Sequence, residues 1–441
     1  MANGEHRDGA TGGSPNDHYN PRPHDLVADA PPHESALVHV SEAETLALGE
    51  PPEEHKAPKV KPPHGAAAGI PAIVNTMKYG FREMGVMRSL RTFTSVNKER
   101  GFDCQSCAWP SPDTHRKVAE FCENGAKAIA DELTYKRVDP EFFAKHSIDA
   151  LLEMSDYEIN AAGRLTHPMM KAPGATHFQP VSWNEAFALI GREMRALASP
   201  NDAIFYTSGK TCNEPAFLFQ LLARQLGTNN LPDCSNMCHE SSGVALTATI
   251  GIGKGTVKLE DFEATDTILI IGNNPATNHP RMLTSLEQAK HKGATIISIN
   301  PMPEVGLMRV INPNPQDYKN PLALLPALLG KGTQLTDLYV PVRVNGDAAF
   351  MQGVIKGLLE RDGKTPGVID HDFIAQHTTG FPELKAAAER NTWEEIVESS
   401  GVDRATIDEA TDLIARGKRM IILWCLGLTQ HPNGVENVQQ V

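Results

Sequence analysis

Apolar residues are spaced in two ways along this chain, and the change between them divides it. From residue 1 to about 70 no periodicity survives: Pro, His, Gly, Ala and acidic residues dominate, and Pro-Pro pairs near 31, 51 and 62 interrupt any pattern. That composition predicts a disordered tail over 1–70. From Val181 onward, helical and strand spacing alternate. Ser182 to Leu197 is amphipathic behind Ser182, with Glu185 at the capping-box position. Ala203 to Thr207 reads as a short strand running into Ser208-Gly-Lys-Thr-Cys-Asn-Glu214, and an apolar helix follows through Leu226. Thr267–Gly272 reads as a buried strand, Arg281–Lys292 as a helix and Ala294–Asn300 as another strand. Together they make one βαβ unit of the size a right-handed crossover needs. A second unit is expected after the Pro-rich stretch from Asn312 to Leu325, with a strand at Pro341–Val344, helices at Asp347–Glu360 and Arg404–Arg416, and a strand at Met420–Trp424.

The predicted class is therefore α/β, in several domains. A tail over 1–70 precedes a linker and cysteine-bearing lobe over 71–165, an α/β domain over 166–320 and a second α/β domain over 321–441. The closing run from Asn433 to Val441 reads as the first turns of a helix with no stop signal, so the last domain is expected to be cut short.

Composition narrows the chemistry. The 441 residues are 40% hydrophobic and 22% charged, ordinary for a soluble globular protein. A net charge of −13 weighs against a nucleic-acid partner held through phosphates. No run approaches eighteen apolar residues, and the amino end carries neither a basic segment before an apolar core nor a twin-arginine signal, so the expected location is cytoplasmic, without a membrane span. The tail histidines are spaced too irregularly for a metal site and read as solvated.

Seven cysteines are too few and too uneven for a disulfide framework, and their clustering favours metal ligation. Cys212 and Cys425 read instead as small buried hydrophobes. A Cys104-x2-Cys107 turn lets two sulfurs share one metal group, and Cys122 could return a third. The position four after Cys107 is Ser111, which would ligate through oxygen, leave an open iron or do nothing. Zinc is the rival, with His115 the nearby candidate for its fourth ligand. A [4Fe-4S] cluster is the preferred reading, and absence of metal the bland one.

Two strand ends read as nucleotide cradles. Gly272-Asn-Asn-Pro-Ala-Thr-Asn-His-Pro280 would present backbone N–H groups and short amides beyond the carboxyl end of a parallel sheet, and the next strand ends at Asn300-Pro301. The absence of G-x-G-x-x-G disfavours a nicotinamide site, and a turn chosen for backbone angles alone is the structural alternative. Leu426 to Gly434 has the same character. Ser208 to Glu214 fails the phosphate-loop spacing, since Ile204 stands at the first glycine position. Lys210, Thr211 and Asn213 could still hold another phosphate at the following helix start. In Asp233-Cys-Ser-Asn-Met-Cys-His-Glu240, a hydroxyl-rich helix beginning just after Cys238 would favour its thiolate, a soft-metal ligand, and His239 could accept a proton from substrate. A buried thiol beside a surface histidine is the alternative.

With these residues in view, the chain resembles the molybdopterin oxidoreductases, in particular the formate dehydrogenase-like alpha subunits, over about residues 78–441. The marks are Gly101-Phe-Asp-Cys-x2-Cys-Ala-Trp-Pro110, Phe121-Cys-Glu-Asn-Gly-Ala-Lys127, Asp233 to Glu240, Gly253-Lys-Gly-Thr256, Gly272 to Met282 and Gly427-Leu-Thr-Gln-His-Pro-Asn-Gly434. The resemblance implies parallel-sheet dinucleotide-binding domains beside a small iron–sulfur lobe. It also implies molybdenum held by two molybdopterin guanine dinucleotides, and a [4Fe-4S] cluster passing electrons to an acceptor protein or subunit. Cys238 matches the molybdenum ligand and His239 its proton-accepting neighbour. Gly272, Asn273, Asn274, Asn278, His279 and Asn300 match one dinucleotide cradle, and Gly427, Gln430, His431 and Gly434 part of the pterin-contacting region. Ser111 stands where many relatives have a cluster cysteine, and Asn124 where many have a conducting lysine. Relatives run several hundred residues further and there supply the substrate arginine and much of the second dinucleotide site. The expected reaction is oxidation of formate, or a formate-like small molecule, to carbon dioxide, with the metal taking the electron pair. Related nitrate reductases with a cysteine ligand follow it with methionine, so His239 favours formate. A truncated or degenerate cofactor-binding protein, and a nitrate or other oxyanion reductase, are the competing readings.

Overall fold

A computed structural model describes residues 64–441 except 108, 114, 115 and 318–328. The tail predicted over 1–70 lies outside the described residues up to residue 63, and so does His115. The irregular reading stops short of 70, because Ala67–Ala68 pairs in parallel with Val310–Ile311, a partner far along the chain that local composition does not signal. Helix α1 (Gly69–Phe93), kinked at Gly85, follows at once. Helix α2 (Glu123–Glu132) packs on it and carries the second part of the cysteine lobe.

Helices α3 (Trp183–Ala196), α4 (Asn213–Leu226) and α5 (Cys234–Ile250) come next. The predicted capping box at the start of α3 is present, Ser182 accepting from the Glu185 N–H and Glu185 bonding back. None of the α3 residues is buried, and Trp183, Phe187, Phe217 and Leu218 stay exposed along α3 and α4. The strand expected at Ala203–Thr207 is a correction: only an isolated bridge forms, Thr207 to Asp233.

Four parallel strands build the centre: β1 (Thr267–Ile271), β2 (Thr295–Ile299), β3 (Leu338–Val340) and β4 (Met420–Trp424). Their order across the sheet is β3-β2-β1-β4. Strands on both sides of the expected boundary at 320/321 thus belong to one sheet. β3 also lies earlier than the predicted Pro341–Val344. Pro341 has no N–H to give to a ladder, and it ends the strand rather than starting it.

Alternation along the strands separates two cores. Leu269, Ile271, Ile297, Ile299 and Val340 face helices α7 (Asp347–Lys364) and α8 (Arg404–Arg416), with Ala245 of α5. Ile268, Ile270, Ile296 and Ile421 face helix α6 (Met282–His291). Each such side chain, removed from water on folding, contributes about 2 kcal/mol. Three helices that sequence spacing did not signal, His371–His377, Phe381–Arg390 and Trp393–Ser400, connect α7 to α8, and helix α9 (Gly434–Gln440) follows β4. Among the described residues, no helix is long and apolar enough to cross a membrane.

The strand order has one consequence for ligand binding. β2 and β3 lie on one side of β1 and β4 on the other, so the order reverses between β1 and β4. At such a switch point, the loops beyond the carboxyl ends of the strands form the face on which open α/β sheets bind ligands, here called the crevice.

Candidate functional site

Cys238 and His239 reach this crevice on α5. The Asp233 carboxylate caps the helix, accepting from the Ser235 and Asn236 N–H groups. The helix breaks at His239, whose backbone is non-helical at φ −138°, ψ 22°, and resumes beyond it. The break is gripped from the far side of the crevice. Thr429 Oγ1 donates to the Cys238 carbonyl at 3.0 Å, and Gln430 Nε2 donates to the carbonyls of Met237 at 2.7 Å and Cys238 at 3.1 Å. His239 Nδ1 lies 3.3 Å from Ser242 Oγ, which accepts from Trp424 Nε1 at the end of β4.

The two predicted cradles meet backbone to backbone. Gly272 has φ +57°, and a Cβ placed there would lie 2.7 Å from Gly427 Cα; one on Gly427 would lie 2.6 Å from Gly272 Cα. The Gly427 N–H donates to the Gly272 carbonyl at 3.1 Å. Only glycine permits this approach at both positions. A Cβ on Gly434 would sit 2.3 Å from the Thr429 carbonyl oxygen, and His431 Nε2 lies 2.9 Å from the Gly427 oxygen. Asn274 caps the short helix Pro275–Asn278, and Asn278 is exposed at its end. Asn273 is 3% exposed with its Oδ1 unpaired, and the buried Nδ1 of His279 is unpaired as well. Buried polar atoms without partners are costly, and these two lie in the turn that follows β1. Asn300 sits one strand over, its Oδ1 already accepting from the Met302 N–H. Lys210 and Thr211 follow Gly209, whose N–H donates to Cys234 Sγ at the amino-terminal end of α5, and Asn213 opens α4.

Burial pushes the His239 imidazole toward its neutral form. It does the same to His279, helped by the nearby His239. The two imidazoles therefore lie close enough to disfavour each other's charged form. Cys425 is buried, as expected, and burial with the neighbouring Cys238 raises its thiol. Cys212 is a correction: it is exposed at the start of α4. Sequence reasoning also passed over Asp347, which opens α7, is 4% exposed, and is pushed up to about 6 by burial against the opposing pull of His431.

The cysteine lobe borders the same loop. Cys122 caps α2, its sulfur accepting from the Gly125 N–H at 3.3 Å, and the Cys104 sulfur accepts from the Ser106 N–H at 3.4 Å. A Cβ on Gly125 would touch Cys104 Sγ at 2.7 Å and Cys122 Sγ at 3.7 Å, so both sulfurs flank one glycine. Burial raises the thiols of Cys104 and Cys122, and Cys107 raises both further. Among the described residues, no three His, Cys, Asp or Glu side chains are placed to hold a single metal ion. Asn124 Nδ2 donates to the Thr277 carbonyl at 3.1 Å, joining the lobe to the cradle. Arg281, just past the cradle, donates to the Trp109 carbonyl, to Ser111 Oγ and to the Glu120 carboxylate. A cavity of about 620 Å³ is walled in part by Trp109, Glu120, Cys122, Asn124 and Arg281. The sequence motif contained Arg281, but its partners could not be read from it.

A reversed strand order, paired glycine strand ends and a Cys-His kink beside them define an α/β protein with one candidate site at the carboxyl ends of its central strands. The chain belongs to the molybdopterin oxidoreductase family, whose model matches residues 164–441. It is 44% identical to Protein YdeP of Escherichia coli (strain K12), over 87% of this chain and 50% of that protein. An uncharacterized oxidoreductase of Mycobacterium tuberculosis (strain H37Rv) is 43% identical over 88% of this chain and 49% of its own length. The F420-dependent formate dehydrogenase subunit alpha of Methanocaldococcus jannaschii is 29% identical over 64% and 37% respectively. The chain spans about half the length of the first two relatives.

Proposed function

We propose that the crevice between β1 and β4 receives a molybdenum–bis(molybdopterin guanine dinucleotide), with Cys238 as the protein ligand, and that the whole protein oxidises formate to carbon dioxide in the cytoplasm. The observation that carries this is the convergence of Cys238 and His239 with Gly272 and Gly427 at the point where the strand order reverses. Gly272 and Gly427 leave no side chain at the crevice floor, and Asn273 and His279 offer unpaired polar atoms to a pterin or nucleotide. Asn274, Asn278, Asn300, Gln430, His431 and Gly434 complete the cradle, and Lys210, Thr211 and Asn213 offer a more distant phosphate contact.

Bound there, the group supplies a two-electron acceptor. This chain's own residues do the rest. Thr429 and Gln430 fix the Cys238 backbone, and with it the direction of the sulfur. His239, kept neutral by burial, is available to take the proton that formate loses. Cys104, Cys107 and Cys122 would hold a [4Fe-4S] cluster, which would supply an electron exit toward an acceptor protein or subunit. The three sulfurs lie near one another, yet among the described residues no three side chains suit one ion, and a cubane separates its ligands more widely than zinc does. Formate is supported by the relative named formate dehydrogenase subunit alpha and by the histidine after Cys238.

The test is metal analysis with formate-driven dye reduction on protein made in cells that supply the cofactor. Molybdenum with formate turnover is expected. Molybdenum without turnover would keep the cofactor and reject the substrate, and lack of both molybdenum and tungsten would reject the site.

A further inference from the structure

Arg281 makes more contacts across the lobe boundary than any role in the cradle requires. Its Nη2 lies 2.7 Å from Glu120 Oε1 and 3.3 Å from Ser111 Oγ, and its Nη1 lies 3.1 Å from the Trp109 carbonyl. The ion pair is well buried, with side chains 12% and 10% exposed. Glu120 is itself fixed into the loop, its Oε2 accepting from the Lys117 N–H and its carbonyl from Asn97 Nδ2. The Asn97 Oδ1 in turn accepts from the Cys104 N–H. A continuous chain of bonds therefore runs from α6 through Arg281, Glu120 and Asn97 to the first cysteine.

We propose that Arg281 is the positioning residue of the cysteine lobe: with Glu120 it fixes the Cys104–Cys107 loop, and by engaging the Ser111 hydroxyl it leaves a three-sulfur site with an exchangeable fourth position. Ser111 is thereby a strut and not a ligand. A hydroxyl accepting from a guanidinium has one of its two lone pairs committed, and a cation at that point repels an incoming iron or zinc ion. Arg281 acts through geometry on Cys104 and also contributes a fixed positive charge near the Cys104 sulfur. The proposal rests on reading Cys104, Cys107 and Cys122 as cluster ligands.

The experiment uses the whole protein, reconstituted with iron and sulfide, in the forms wild type, Ser111→Ala, Arg281→Lys and Arg281→Gln. Ferricyanide takes one electron as one Fe²⁺ leaves a cubane with an open corner, giving a three-iron EPR signal. Wild type and Ser111→Ala should give the same signal and iron content. Arg281→Gln should lose iron to a chelator at least about tenfold faster, because it strands a buried carboxylate, and Arg281→Lys should recover part of the retention. Loss of iron or a changed EPR signal in Ser111→Ala would overturn the strut assignment. Equal retention in Arg281→Gln and wild type would overturn the positioning role. A parallel digestion of the metal-free proteins separates this from the cluster reading. If wild type takes up no iron, the cluster fails, while faster cleavage between Gly101 and Glu120 in Arg281→Gln still supports the positioning role and unchanged cleavage overturns it.

Discussion

Gly427 and Gly272 leave no room for a methyl group between them, and that contact brings the two halves of the candidate site together. Gly427→Ala must push apart two strand ends, at about 2–3 kcal/mol, measurable as a lower urea midpoint with an unchanged slope. His239 makes a different demand. His239→Gln retains a polar atom near Ser242 but no titrating base, so molybdenum content should be unchanged while formate-driven turnover falls about 100-fold or more. At this scale the sequence was legible where chemistry is local. Cys238, His239 and the two glycine turns stand out because few other side chains do their work. The Arg281–Glu120 pair and the neighbourhood of His239 and His279 were hidden, since each joins segments far apart in sequence. Ser111 could be singled out, but the guanidinium holding it could not.

Elements were legible where one physical signal dominates. β4 and α8 lie at the predicted residues and β1 ends one residue earlier, because central parallel strands are nearly continuous apolar runs and α8 is amphipathic behind a capping aspartate. The reading failed where pairing partners decide. Ala203–Thr207 has strand composition but only a single bridge, and β3 was displaced by a proline that closes the ladder. The start of α5 is the element on which the site depends. Asp233→Ala removes the acceptor of two N–H groups, at about 1 kcal/mol of stability. It should also loosen the turn that presents Cys238, so cofactor retention should fall more than the unfolding midpoint does. Equal losses in both would assign Asp233 a purely structural part.

Across the whole molecule, one sheet organises segments that sequence reading had divided at 320/321, and the crevice exists because β4 adds to the side of β1 opposite β2. Burial inside that assembly also leaves a pH signature. Asp347 ionises at about 6 in the folded chain against an ordinary 3.8, so the folded state holds its proton more tightly than the unfolded state. Stability from this group is full below about pH 4, falls as pH rises through the window to about 6, and is lower by roughly 3 kcal/mol above it. Asp347→Asn should remove that fall, shown by urea unfolding at both ends of the window. The central claim is the bond from the Cys238 sulfur to molybdenum, and molybdenum K-edge absorption on wild type and Cys238→Ser tests it most directly. The account predicts that the variant exchanges one sulfur neighbour of the metal for a lighter oxygen. Identical metal environments in the two proteins would contradict it.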